Sequence, residues 1–203
     1  MTLNYVTRQN LNGKWLLKQI DSGNGEKGYP GFQLLEIESD CVDIYMDISL
    51  EKKVASFLMR NGNLLNSNNE NTSEYKIVNE NHLKLYVDGT SNDENAIFEC
   101  DFFRLEPTIT SLKKDDIEKM IFVNSETEFV FNKELWDKES LELHKITKGE
   151  RKMIEQIDST LFLSTYFNGK KHSSFPIKEV TTEFIKICGI PKMPKGIIGY
   201  RKE

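Results

Sequence analysis

Cysteine, proline and histidine are scarce in this chain of 203 residues, and long apolar runs are missing altogether. The three cysteines, Cys41, Cys100 and Cys188, are odd in number and widely separated. A disulfide framework is therefore not expected, and no pair has metal-ligand spacing. Small buried hydrophobes are the expected role. His82, His144 and His172 stand too far apart in sequence for a metal pair on one helix. No stretch approaches the roughly 18 apolar residues of a membrane span. The start, Met1 to Arg8, lacks a basic segment followed by an apolar core, so no signal peptide is visible and a cytoplasmic protein is expected.

Catalytic signatures are equally thin. No serine sits in G-x-S-x-G, and no cysteine has a recognisable nucleophile context. Gly23, Gly25 and Gly28 match G-x-G-x-x-G after an expected strand. A dinucleotide site needs a helix to open directly behind those glycines, and Tyr29-Pro30-Gly31 forbids it. No catalytic residue, metal or cofactor is assigned. Charge is uneven: residues 1–110 carry 10 Lys and Arg against 17 Asp and Glu, and residues 111–203 carry 17 against 15. An acidic first half argues against nucleic acid, whose phosphates require Lys and Arg, and suits a basic protein partner.

What the chain does contain is strand pattern and turn chemistry. From Trp15 to Ile20 the residues suit a first strand, followed by the glycine-rich loop 22–31. Leu35 and Ile37 alternate with Glu36 and Glu38, and Val42, Ile44, Met46, Ile48 and Leu50 alternate with Asp43, Tyr45, Asp47 and Ser49. Period-two alternation means an antiparallel sheet with one wet face. Asn61-Gly62 carries a hairpin signal. Tyr75 and Ile77, Leu83 and Leu85, and Phe98 and Phe102 continue the meander until Pro107 ends it.

Taken together, Gly13 and Trp15 on the first strand, the Asn61-Gly62 turn, Tyr75-Lys76-Ile77, Leu83-Lys84-Leu85 and Phe103-Arg104 on the last strand resemble a bacterial lipocalin-like domain over residues 10–107. The resemblance implies that Trp15 closes one barrel end with Arg104 packed over it, a cation–π contact worth about 0.5–2 kcal/mol. It also implies an interior able to hold a small ligand.

The second part, residues 108–203, reads as a smaller β-rich segment. Ser111 is expected to cap a helix near 111–123, and Thr147 to Glu150 fits a capping box before a helix near 148–157 that carries Met153, Ile154 and Ile157. Thr127 to Phe131 and Thr160 to Phe167 read as strands, with Asn168-Gly169 as a second hairpin turn. Ile177, Val180, Phe184 and Ile187 fit either a helix or a strand pair turning at 181–183. Phe167-Asn168-Gly169, Phe175-x-Ile177, Ile185-x-Ile187 and Tyr200-Arg201 echo the first half, as a degenerate repeat would.

The expected fold class is mainly β: a meander or lipocalin-like barrel over 1–107, then a second β-rich part with short helices. Three functional readings follow. In the first, a non-enzymatic binding protein holds an apolar or amphipathic small ligand among Leu35, Ile37, Ile44, Met46, Phe57, Tyr75, Leu85 and Phe102. In the second, a protein-binding module of the immunity type masks a basic toxin domain through Glu36, Glu38, Asp43, Tyr45 and Asp47. The third is an enzyme with a site assembled between the halves. Oligomeric state is not legible.

Overall fold

The computed structural model describes residues 10–23, 27–28, 33–89, 96–124, 128–131, 149–188 and 196–202. The chain divides into two compact units, Met1–Leu105 and Glu106–Glu203. No helix among the described residues is long and apolar enough to cross a membrane.

The first unit is a closed antiparallel barrel of eight strands: β1 (Gly13–Asp21), β3 (Leu34–Glu38), β4 (Cys41–Tyr45), β5 (Lys53–Arg60), β6 (Asn63–Leu65), β7 (Asn71–Asn79), β8 (His82–Gly89) and β9 (Ala96–Arg104). The short strand β2 (Lys27–Gly28) pairs with the end of β1. Closure comes from β1, which pairs with β3 through Trp15↔Leu35 and with β9 through Trp15↔Arg104. Closing a sheet on itself removes exposed edges and gives every strand an inner and an outer face. Asn61 and Gly62 both adopt left-handed backbone, φ 52° and 84°, as a two-residue hairpin turn demands.

Bulges lie in both β1 and β5, and the first breaks the alternation read from the sequence. One between Leu17 and Gln19 turns Ile20, rather than Gln19, inward, where it packs on the core. The other, opposite Ile44 and Tyr45, has its extra residue, Val54, in β5 and leaves the alternation of β4 unchanged. The expected strand to Leu50 stops at Tyr45. Residues 46–50 form turns instead, with the Ser49 amide donating to Asp47 Oδ1 at 2.6 Å and Leu50 at φ 59°. Short polar side chains that bond their own backbone favour turns over ladders.

The second unit is a seven-strand antiparallel sheet in the order β11-β10-β16-β15-β14-β13-β12. The strands are β10 (Ile121–Val123), β11 (Glu128–Val130), β12 (Glu150–Ile157), β13 (Thr160–Phe167), β14 (Lys170–Val180), β15 (Phe184–Ile187) and β16 (Ile197–Arg201). A bridge from Phe131 to Lys152 joins the two ends, so the sheet is nearly a barrel. Its core gathers Ile117, Phe122, Phe129, Phe131, Ile154, Ile177 and Ile185. Gly199 lies under Phe129, where an added Cβ would come within 2.9 Å of the ring.

Both expected helices are corrected. Only α1 (Lys114–Ile117) forms near 111–123; it begins behind Lys113, and Ser111 does not cap it. The end of that stretch is β10, held by Ile121↔Val130 and Phe122↔Arg201. Within the stretch 148–157, Glu150–Ile157 is β12, paired residue by residue with β13 from Glu150↔Phe167 to Ile157↔Thr160. Helical spacing of Met153, Ile154 and Ile157 yields to a full ladder, because tertiary pairing outweighs a short segment's propensity. The ambiguous segment 175–188 is a strand pair, turning at 181–183. The echoed motifs differ in register, Tyr75↔Leu85 in the first unit but Ile177↔Ile187 in the second. Trp136, Leu141, Leu143, His144 and Thr147 lie outside the described residues, as do residues 1–9 and Tyr29-Pro30-Gly31.

Candidate functional site

One end of the barrel is sealed from the sequence upward. Trp15 enters the interior from the start of β1 and is completely buried, with its indole N–H donating to the Leu11 carbonyl at 3.0 Å. The Arg104 guanidinium lies 4.5 Å from the Trp15 ring centroid, the contact the resemblance implies. Arg104 also donates from Nε to the Glu80 carbonyl at 3.0 Å, from Nη2 to the Asn10 carbonyl at 2.7 Å, and from Nη1 to the Asn12 carbonyl. A planar fork with fixed donors suits several carbonyls at once. Gly13 makes room, since its φ of 131° is strained for other residues and a Cβ there would meet Arg104 Nη1 at 3.1 Å.

Inside, cross-strand rows step away from that plug. Leu17, Phe102, Leu83 and Ile77 stand in register, as do Ile20, Cys100, Leu85 and Tyr75 beyond them, and then Phe98 and Val87. Exposure rises along β1, β8 and β9, with Leu17 and Leu83 at 0%, Cys100 at 8% and Val87 at 38%, whereas Ile77 on β7 is already only partly buried in the first row. Burial pushes the Cys100 thiol up to about 11, with a smaller push from Asp101, so it is no thiolate nucleophile at neutral pH.

Of the ligand-lining residues expected from sequence, Leu35, Ile37, Leu85 and Phe102 are buried core. Ile44, Phe57 and Tyr75 are inward but only partly buried. Met46 is not in the interior: it lies past the end of β4 and is 42% exposed. Ile20, Phe98 and Val87 belong to the same partly open surface and went unassigned. Alternation within β9 does signal Phe98, whereas the bulge hides Ile20.

The outer face of β3, β4 and β5 brings Glu36, Asp43 and Tyr45 together, but not as free acids. Glu36 pairs with Lys14 at 3.2 Å and accepts from the Tyr45 hydroxyl at 3.4 Å. Asp43 accepts from Ser56 Oγ at 2.6 Å and pairs with Lys53 at 2.9 Å. The Ser56 bond, then Lys53, hold the Asp43 carboxyl below its ordinary range against a raising effect of burial. Burial and the neighbouring carboxylates raise the Tyr45 phenol. Asp47 serves its own turn, and Glu38 stands exposed at the end of β3.

A second outer cluster was not assigned from sequence. His82 Nε2 lies 2.6 Å from Asp101 Oδ1, and its ring stacks on Phe103 with centroids 4.4 Å apart. Lys18 Nζ sits 4.5 Å from the Phe103 centroid, and Lys84 reaches Glu99 at 2.7 Å and Asp101 at 3.7 Å. Residues far apart in sequence meet here only through the β8–β9 and β1–β9 ladders, so spacing carries no signal. The arrangement orients an imidazole, while Cys100, next to Asp101 in the chain, points into the barrel. In the second unit, Glu155 accepts from Tyr166 at 2.9 Å and lies 3.1 Å from Lys171 Nζ. Among the described residues, no group of three His, Cys, Asp or Glu side chains could hold a metal ion. In comparisons with family models, curated proteins and solved structures, no match to this chain was found.

Proposed function

We propose that the first unit is a lipocalin-like binding barrel that takes a small apolar or amphipathic molecule at the end remote from Trp15. The observation that carries this reading is the exposure gradient along the inner wall, from the sealed rows at Leu17 and Leu83 to the half-open Ile20, Ile44, Phe57, Tyr75 and Phe98. Apolar walls with a few polar groups are the usual character of small-molecule sites. Tyr75 adds a hydroxyl to an otherwise apolar lining, which suits a ligand with one polar end. The buried set around Trp15 forms the floor and fills its half of the barrel as side chains do in small barrels. The face bearing Glu36 and Asp43 supports a basic partner less well, because Lys14 and Lys53 already match those charges.

A dansylated undecanoate, apolar along its chain and charged at one end, tests the reading by fluorescence titration of the full chain. Binding with a Kd below about 100 µM is expected. Ile44→Trp fills the partly open region with apolar volume and is expected to weaken binding about tenfold without loss of thermal stability. Absence of binding by the wild-type chain, or equal affinity for the Ile44→Trp variant and wild type, overturns the reading.

A further inference from the structure

On the outside of the barrel, β7, β8 and β9 frame a groove of ≈ 260 Å³ bordered by Thr72, Glu74, Tyr86, Asp88 and Ile97. The ladder builds it: Glu74 stands directly opposite Tyr86, and Asp88 directly opposite Ile97. Side chains alternate across a strand, so these residues face outward while Tyr75, Leu85 and Val87 face the interior. Ser73, which also borders the groove, lies on the Tyr75 side of β7, so the groove reaches the edge of the inner wall, while its two carboxylates stand on the outer face and take the site beyond the binding reading above.

Its carboxylates differ from those in the two outer clusters described above. Glu36 is matched by Lys14, Asp43 by Lys53, and Glu99 and Asp101 by Lys84. Among the described residues, the Glu74 and Asp88 carboxylates have no hydrogen bond or ion pair, and no cation borders the groove. Beside them stand the Tyr86 ring and Ile97, which is 53% exposed despite its aliphatic side chain. A metal ion is a poor occupant, because the described residues offer no third acidic, histidine or cysteine ligand. Two unmatched carboxylates, an aromatic ring and an aliphatic surface instead complement an amphipathic cation. Lysine and arginine are such cations, with an apolar stem and a charged head, and a phenol ring attracts that head through its face.

We propose that this groove docks a basic segment of a protein partner, with one lysine or arginine head between Glu74 and Asp88 and its stem against Ile97. The acidic excess of residues 1–110 draws such a segment towards the barrel, and the groove supplies the local fit.

The test is fluorescence polarisation of the full chain with a fluorescein-labelled peptide alternating arginine and serine, at low salt. The wild-type chain is expected to bind. Glu74→Gln combined with Asp88→Asn keeps the shape, removes both charges, and is expected to weaken binding about tenfold. Glu38→Gln combined with Glu51→Gln removes the same charge from exposed positions outside the groove and is expected to weaken it less than about twofold. Equal losses in the two double variants would reduce the effect to net charge and overturn the proposal. Absence of wild-type binding at about 1 mM overturns it as well. Dansyl-undecanoate titration of the same groove variant separates the two readings, since its affinity for the inner wall is expected to be unchanged.

Discussion

Replacing Arg104 with alanine is the sharpest probe of how the barrel is closed. The side chain donates to the carbonyls of Asn10, Asn12 and Glu80 and covers the Trp15 ring. It therefore ties the segment before β1 and the β7–β8 turn to the last strand. The ring contact contributes about 1 kcal/mol. Hydrogen bonds from a charged donor contribute about 1.5–3 kcal/mol each in full burial. Arg104 is only partly buried and one side chain makes all three bonds, so together they contribute about 2 kcal/mol after screening. A loss of about 3 kcal/mol is expected, lowering the midpoint of the first unit by about 10–20 °C. Lysine at this position keeps the charge but not the fork, and is expected to recover less than half of the loss. Thermal unfolding is read at Trp15 in a Trp136→Phe background, so that one indole reports. An Arg104→Ala variant within about 0.5 kcal/mol of its parent, or a lysine variant equal to the parent, refutes the plug.

Two further outcomes follow from the ladders. Ser164 and Ser174 are fully buried and share a 2.7 Å hydroxyl pair across β13 and β14. Ser164→Ala strands its partner and is expected to cost about 1–3 kcal/mol, whereas the double alanine variant costs markedly less; urea unfolding of the cycle measures the difference. Asp43 has its folded-state pKa depressed, first by Ser56 and then by Lys53. Its contribution is thus present above the unfolded aspartate value of about 3.9 and is lost as pH falls through the lower folded value. Ser56→Ala is expected to move the Asp43 midpoint upward in a carboxyl NMR titration; an unmoved midpoint removes Ser56 as the main cause.

Much of this fold was legible because its signals are local. Asn61-Gly62 and Asn168-Gly169 reverse the chain through residues that tolerate left-handed backbone, so both hairpins could be placed from dipeptides alone. Alternation likewise assigned Leu35, Ile37, Leu85 and Phe102 to the interior. Bulges were not legible. An extra residue in one strand changes which side chains face inward, and only the ladder that accommodates it determines where it falls. Hence Ile20 entered the inner wall unannounced. The alternating pattern expected through Leu50 failed after Tyr45 because Asp47 and Ser49 form a turn there instead. The segment before Ile157 carried helical spacing that its pairing with β13 overrode.

By itself, then, the chain determined a mainly β protein with its turns and most of its inner face, while the pairing of Trp15 with Arg104 at one barrel end was only what the resemblance implied. The tertiary structure decided that the first sheet closes, which acidic residues are matched by lysines, and that Glu74 and Asp88 are left beside Tyr86 and Ile97. The division has a single physical reason. Turn preference and side-chain alternation act over neighbouring residues, whereas ion pairs, grooves and an exposure gradient depend on strand register, set only when distant segments pair.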